Sequence, residues 1–440
     1  MGRSFVVGVG MTKFDKPRGQ RDYPEIGLEA AVKALTDAGI TYDDVEQAYT
    51  AYVYGDSTCG QRVLYQLGLT QIPIVNVNNN CSTGSSALAL ARAAVESGQA
   101  DCVMALGFEK MAPGSLSAAF NDRVNPLDRI VTMHMEGRGG SSFGPFAAQI
   151  FGEGAAEYCD KYGATVSHIN RIAAKNHRHS VNNPYAQFRV DMTEQQVASA
   201  PQVTPNLTRA GCCPTSDGGA CVIVASEKFV RERKLENQAI EILGMGIATD
   251  SPRVFERSHI ELAGADMTRT AAQRAYKAAK LTPKDIKVVE LHDCFAANEL
   301  ITYDALGLCP PGQAGKLIDA NDVTYGGKYV VNPSGGLLSK GHPLGATGLG
   351  MTFFLVMQLR GWAGKMQADQ VNYALLHNLG LGGSAVVAIF GRPDFYKEGG
   401  EDGRKRMGYN HGAECKEGVD ESLLAKTKSK KNNEWARAKL

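Results

Sequence analysis

Cys81 stands in a polar, turn-forming run, residues 78–86, directly before residues 87–95, an alanine- and leucine-rich stretch whose composition favours a helix. A thiol so placed faces free amide N–H groups and the positive end of the helix dipole, which favour thiolate over thiol and predict a strong nucleophile. The same residue also fits the common state of a free cysteine, a small buried apolar side chain. Three further segments carry groups that could complete a nucleophilic site. Apolar residues 288–291 end in His292, Asp293 and Cys294, so ionisable groups stand at a strand terminus, where α/β sheets keep their sites. His342 lies between Gly341 and Pro343 in a loop whose composition holds an imidazole in place. The run His377-Asn378-Leu379-Gly380-Leu381-Gly382-Gly383 supplies glycines that let amide N–H groups approach a ligand and form an oxyanion hole. Singly, His292 and His342 read equally well as structural histidines and Cys294 as a core thiol. Their joint occurrence with Cys81 favours the catalytic reading.

The elements that must position these groups are written twice. A helix-like run over residues 29–39 leads through residues 40–46 into a strand-like run over 48–54, and the same grammar recurs at residues 271–291, with Leu281 lying 241 residues after Ile40. Each half also carries a Gly-rich turn before a helix and a Gly-then-apolar strand, at residues 218–224 and 382–387. Helices alternating with strands predict a layered α/β architecture. Residues 115–210 read as an insertion with helical patterns near 146–162 and 166–177, able to form a substrate lid. The expected organisation is an N-terminal half of residues 1–114 and 211–235, the inserted domain 115–210, a C-terminal half 236–395, and a mobile, charged tail 396–440.

The formal charge of +1, from 47 basic and 46 acidic residues, leaves no global field to hold nucleic acid or an anionic membrane, so the expected partner is a small molecule. Ten cysteines in 440 residues, without regular spacing, predict free thiols in a reducing compartment. No run of eighteen apolar residues suggests a membrane span, and the N-terminal apolar run is too short for a secretory signal. Asn80-Cys81-Ser82 and Asn206-Leu207-Thr208 are then chance matches to a glycosylation triplet. The last residues, Ala438, Lys439 and Leu440, are a variant of the Ser-Lys-Leu address and predict recognition by a peroxisomal import receptor, with the cytoplasm as the alternative. His177-Arg178-His179 lacks a carboxylate or thiol at ligand spacing and reads as a solvated helix face, so no metal is expected. Cys212 and Cys213 read as packing residues. Gly8-Val9-Gly10 lacks the third glycine of a dinucleotide fingerprint.

The Cys81 segment, His292-Asp293-Cys294-Phe295, Gly341-His342-Pro343 and the glycine run, in this order, resemble a thiolase over residues 5 to about 395. More narrowly, His-Asp-Cys-Phe and His-Asn-Leu-Gly-Leu-Gly-Gly are similar to the peroxisomal thiolases related to the thiolase half of sterol carrier protein x. The resemblance implies duplicated βαβαβαββ halves in an α/β/α/β/α core with an inserted loop domain. It implies a homodimer acting on acyl-CoA, with coenzyme A as co-substrate and no permanently bound cofactor. It also implies roles: Cys81 attacks the 3-oxo carbon, His342 accepts its proton, and backbone N–H groups of Cys81 and Gly380 hold the oxyanion. Many thiolases have a second cysteine in a Cys-x-Gly loop, where this chain has Asn378-Leu379-Gly380. Cys294 is the implied replacement as acid and base, with Asn378 in a supporting part, and His292 with His342 polarises the thioester oxygen. The implied reaction is thiolytic cleavage of a 3-oxoacyl-CoA to acetyl-CoA (or propionyl-CoA) and a shortened acyl-CoA in fatty-acid β-oxidation. Biosynthetic acetoacetyl-CoA formation or another condensing reaction is the rival within the superfamily, and a non-enzymatic lipid-binding scaffold is the rival outside it. No sterol-carrier segment is expected after residue 395.

Overall fold

Thr41 and Asp44 form a capping box that starts a turn of 3-10 helix, the Asp44 carboxylate accepting from the Thr41 amide at 2.8 Å. Thr282 and Asp285, 241 residues further on, repeat the box at the same 2.8 Å. Each box joins an outer helix, Tyr23–Ala38 or Ala265–Ala279, to a buried strand, so the sequence duplication is a structural one. In the computed structural model, which describes residues 2–17, 21–112, 122–138 and 143–431, the strands are β1 (Ser4–Met11), β2 (Gln47–Ala51), β3 (Ile74–Val77), β4 (Cys102–Glu109), β5 (Gln202–Thr204), β6 (Leu207–Thr208), β7 (Gly218–Ser226), β8 (Ile240–Ala248), β9 (Val288–Glu290), β10 (Val330–Val331), β11 (Tyr373–Gly380) and β12 (Ser384–Gly391). Ala438, Lys439 and Leu440 lie outside the described residues.

The main sheet runs β10-β9-β11-β12-β8-β1-β7-β4-β2-β3, and β5 pairs with β6 apart from it. Read outward from the centre, the two halves are the same: β1-β7-β4-β2-β3 on one side and β8-β12-β11-β9-β10 on the other. Within the sheet they join at Phe5 opposite Glu241 and Val6 opposite Ile240. β1, β4, β7 and β12 are covered on both faces and are correspondingly near-continuous apolar runs.

Between the halves lie two helices, Thr83–Glu96 and Leu344–Arg360, packed on each other; Leu344–Arg360 also packs on strands of both sides, Thr83–Glu96 on those of the β1-β7-β4-β2-β3 side. All seventeen residues of Leu344–Arg360 are buried, which explains why it is apolar all round rather than striped. Tyr23–Ala38 covers β1 and β7 from outside and Ala265–Ala279 covers β8 and β12, giving helix, sheet, helix, sheet, helix. A buried ion pair ties the layers: Arg360 Nη1 lies 2.8 Å from Asp37 Oδ2, both fully buried, and Asp37 also accepts from the Val9 amide. Burial alone would raise the Asp37 carboxyl, but Arg360 and His411 hold it well below the usual carboxylate range.

Helices Phe146–Tyr162 and Val166–Ser180 of the inserted segment pack against the C-terminal half, chiefly on helix Ala296–Ala305. Two expectations are corrected here. Residues 396–431 are not a mobile tail: helices Gly403–Met407 and Glu421–Thr427 dock on Tyr23–Ala38, with Met407, Leu423 and Leu424 buried. Few apolar side chains do this work, and Asp402 and Asp420, each accepting two amide hydrogen bonds as N-caps, offset the polar composition. His177 and His179 are not on a solvated face either. Both are buried, bonded to Ala210 O and Ser339 Oγ, and to Asn332 O and Thr324 Oγ1. They fasten the inserted segment to the loops around residues 332–339.

Candidate active site

Cys81 follows β3 and stands one residue before Ser82, the N-cap of helix Thr83–Glu96. Asn80 takes a left-handed φ of 51° to make that turn, and its side chain donates to Leu381 O at 2.8 Å, tying the turn to the β11–β12 hairpin. His342 occupies the equivalent place on the paired helix. It is two residues before Leu344, as Cys81 is two before Thr83, and Gly341 (φ 110°) turns the chain from helix Gly336–Lys340 into this start. Thus the duplicated helices bring their N-termini together with a thiol on one and an imidazole on the other. His292 enters from the end of β9, before helix Ala296–Ala305. Cys81 Sγ and one ring nitrogen each of His292 and His342 lie within 4.8 Å of one another, and the two rings meet edge to face at 5.0 Å.

The hydrogen bonds fix the tautomer of His342, and the orientation of the Asn378 amide sets that of His292. Thr347 Oγ1 spends its only proton on Pro343 O at 2.9 Å, so it accepts from His342 Nδ1–H at 2.8 Å. His342 Nε2 therefore carries a lone pair, and it is buried without a hydrogen-bond partner. Ser85 Oγ donates to Asn378 Oδ1 at 2.9 Å, which orients the Asn378 amide so that Nδ2 donates to His292 Nδ1 at 3.1 Å. His292 consequently bears its proton on Nε2. Two neighbouring histidines thus present a bare base and an N–H donor.

Electrostatics correct the expectation of a resting thiolate. Burial pushes the Cys81 thiol up to about 12, with the carboxylate of Glu109 adding to the effect, against backbone hydrogen bonds from Leu381 and Cys81 that favour the anion. Helix-terminal amides are outweighed because Cys81 is only 8% exposed. Burial also holds His342 down to about 3, helped by Lys340, and takes His292 well below its ordinary value, helped by His342 and His377. The resting pair is a neutral thiol and a neutral imidazole. The second backbone group directed at Sγ is that of Leu381, one residue beyond the expected Gly380. Gly380 itself is the contact point of the hairpin with the Cys81 turn, where a Cβ would lie 2.3 Å from Asn79 O.

Cys294 is buried next to the triad, and burial raises its thiol well above the usual value, with Cys213, Cys81 and Asp293 adding. Its backbone is held by the segment read from sequence only as packing. Cys213 N donates to Cys294 O at 2.9 Å and Cys212 bridges Phe295, so Cys213 and Cys294 stand opposite each other. Asp293 does not face the triad. It accepts from Leu337 N and Asn176 Nδ2, both at 2.7 Å, anchoring helix Gly336–Lys340 to the inserted segment.

Glu109, at the end of β4, went unnoticed in the sequence. Its carboxylate accepts from the amides of Val53, Tyr54 and Gly345, at 3.1, 2.7 and 2.8 Å, clamping the N-terminus of the His342 helix, and burial raises it to about 7. A lone acid closing an apolar strand was the available signal. Ser85 and Thr347 gave none, since Ser and Thr are ordinary at helix starts. A cleft of about 440 Å³ opens beside the hairpin at Gly382, floored by Ile130, Met133, Val254, Phe255 and Leu262.

Two protein-family models match the chain: "Thiolase, N-terminal domain" over residues 4–228 and "Thiolase C-terminal domain-like" over residues 246–392. Sterol carrier protein 2 of Oryctolagus cuniculus is 55% identical over 392 residues, covering 88% of this chain and 72% of that protein. Non-specific lipid-transfer protein-like 2 of Caenorhabditis elegans is 48% identical over 393 residues, covering 88% of this chain and 95% of that one. Among solved structures, human mitochondrial 3-ketoacyl-CoA thiolase in complex with CoA has a similar fold, with a TM-score of 0.66, 18% identity, and coverage of 89% of this chain and 98% of that chain.

Proposed function

Because the chain belongs to the thiolase family of acyltransferases, we propose that it is a 3-oxoacyl-CoA thiolase of peroxisomal β-oxidation, cleaving its substrate with coenzyme A to acetyl-CoA or propionyl-CoA and a shortened acyl-CoA. The observation that carries this reading is the triad: the Cys81 sulfur and one ring nitrogen each of His292 and His342 within 4.8 Å of one another, all three residues buried.

In the forward direction Cys81 Sγ attacks the 3-oxo carbon while its proton passes to His342 Nε2, so charge never has to rest on the buried sulfur. Amides of the Cys81 turn and the Gly380–Leu381 hairpin stabilise the alkoxide. Collapse breaks the bond between C2 and C3. The electron pair goes to C2 as an enolate whose thioester oxygen is received by His292 Nε2–H and the newly protonated His342. Cys294, kept as a thiol by burial, gives its proton to C2, and acetyl-CoA leaves. The Cys294 thiolate then takes the proton of incoming CoA, whose sulfur attacks the Cys81 thioester; as the shortened acyl-CoA is released, His342 Nε2–H returns its proton to the departing Cys81 sulfur and both groups are restored to their neutral forms. The cleft beside Gly382, apolar and continuous with the hairpin, is suited to the acyl chain.

A thiolysis panel of 3-oxoacyl-CoA substrates graded in length and branching, followed by intact-protein mass, tests the reading. Wild type is expected to turn over and to carry an acyl group on Cys81. Cys294→Ala should still acylate, yet lose about 10²–10⁴-fold in turnover as a missing acid/base does. A chain that neither acylates nor turns over is the scaffold of the alternative reading. β3 is the open edge of the sheet with Val75 47% exposed, which supports a homodimer, checked by native mass spectrometry. Import through Ala438, Lys439 and Leu440 is checked by comparing the localisation of fluorescent fusions with and without these residues.

A further inference from the structure

Sulfur and imidazole nitrogen, with no oxygen donor among them, are the ligand set that thiophilic borderline cations prefer over Mg²⁺ or Ca²⁺. Cys81, His292 and His342 are the one such group of three among the described residues whose ligand atoms lie within 4.8 Å of one another, and all three are buried. Tetrahedral coordination with bonds of about 2.0–2.3 Å needs ligand atoms about 3.5 Å apart, so a small rotation of the Cys81 side chain and the rings closes the set. An independent observation points into the same space. His342 Nε2, on a side chain 4% exposed, has no hydrogen-bond partner. Its lone pair needs no rearrangement to bind a metal, because Nδ1–H is already held by Thr347, the kind of outer partner that fixes a ligating histidine.

We propose that this triad is also an inhibitory binding site for a Zn²⁺-class cation, held by Cys81 Sγ, His342 Nε2 and His292 Nε2, with a fourth position open to water or a thiol. The proton of the Cys81 thiol passes to bulk solvent as the sulfur–metal bond forms, both histidines then carrying theirs on Nδ1. His292 moves its proton from Nε2 to Nδ1, and the Asn378 amide rotates so that Oδ1 accepts it while Nδ2 turns to Ser85 Oγ. Occupation removes the nucleophile and the base together, so the cation and an acyl group exclude each other. Asn378 thereby sets a choice: in its present orientation it holds His292 as a donor for catalysis, and turned over it holds His292 as a ligand.

The test uses Co²⁺ as a spectroscopic probe on the full-length protein and needs no turnover. Wild type is expected to take one Co²⁺ with a thiolate-to-cobalt charge-transfer band that Zn²⁺ displaces, and the bound metal should protect Cys81 from iodoacetamide. Cys81→Ala should lose the band, and His342→Ala should weaken binding at least tenfold. Asn378→Asp, whose carboxylate accepts from Nδ1–H and so presets the ligating tautomer, should bind Co²⁺ about 10–100-fold more tightly, the usual size of such outer-partner effects. Absence of the band in wild type, or a band of equal size in Cys81→Ala, overturns the proposal. Because binding is read without substrate, a protein that holds Co²⁺ but fails at thiolysis refutes the assigned reaction alone, and one that performs thiolysis without the band refutes the cation site alone.

Discussion

The chemistry at position 81 turns on a contest between helix amides that favour an anion and burial that opposes it, and burial is the larger effect. With the thiol raised to about 12, the sulfur stays protonated at pH 7–9 and ionises only as the pH climbs toward that value. The ultraviolet thiolate band of wild type minus Cys81→Ser is therefore expected to be absent at neutral pH and to emerge only in alkali. A full band at pH 7 would restore the thiolate reading drawn from sequence. Asn378 makes a second prediction at this scale. Replacing its amide by a carboxylate, Asn378→Asp, forces the His292 proton onto Nδ1 and leaves the thioester oxygen only the His342 donor. The expected result is a fall of about 10²-fold or more in kcat, as for loss of one oxyanion donor, with little change in KM. The residue types of the site were legible from the sequence, since Cys81, His292 and His342 do converge. Their protonation states were not, because these depend on how Thr347 spends its hydroxyl proton and on a relay from Ser85 through Asn378 to His292 whose links span 293 and 86 residues.

Two central helices meet at their N-termini because glycines allow it. A Cβ at Gly348 would lie 2.1 Å from Ser85 Oγ and 2.6 Å from Asn378 Oδ1, the pair that orients His292. Gly348→Ala is thus expected to cost about 1–3 kcal/mol as overpacking, read by denaturant titration, and to depress kcat beyond what a merely destabilised enzyme would show under folding conditions. A variant with wild-type kcat would show that the crossing yields without disturbing the Ser85–Asn378 bond. The duplication itself was legible in the sequence, because the helix, box and strand recur at one spacing, Thr41 with Asp44 and Thr282 with Asp285. The fastening of Cys294 by Cys213 was not. An isolated backbone bridge carries no periodic pattern, so its partner could not be read from the chain.

For the molecule as a whole, residues 397–431 of the C-terminal extension are part of the folded body. Lys33 Nζ donates to Lys416 O at 2.7 Å, Glu29 Oε2 accepts from Gly418 N, and Leu423 and Leu424 are buried against the helix Tyr23–Ala38. Removing residues 397–440 is expected to lower stability by about 3 kcal/mol or more, the burial of two leucines, with the midpoint of thermal or urea unfolding as the measure. An unchanged midpoint would return this segment to the status of a tail. Composition misled here because Lys, Glu, Gly and Asn dominate the segment, while the few apolar residues that dock it are spaced too widely to make a period. Cys81 and His342, by contrast, hold matching places on repeated elements. An assembly of two identical halves would have to set the same side chain at both helix starts, so a nucleophile facing its base can exist only after the copies have been fused and allowed to diverge. The division of labour in this pocket is a product of broken symmetry, and each half by itself holds an incomplete reagent.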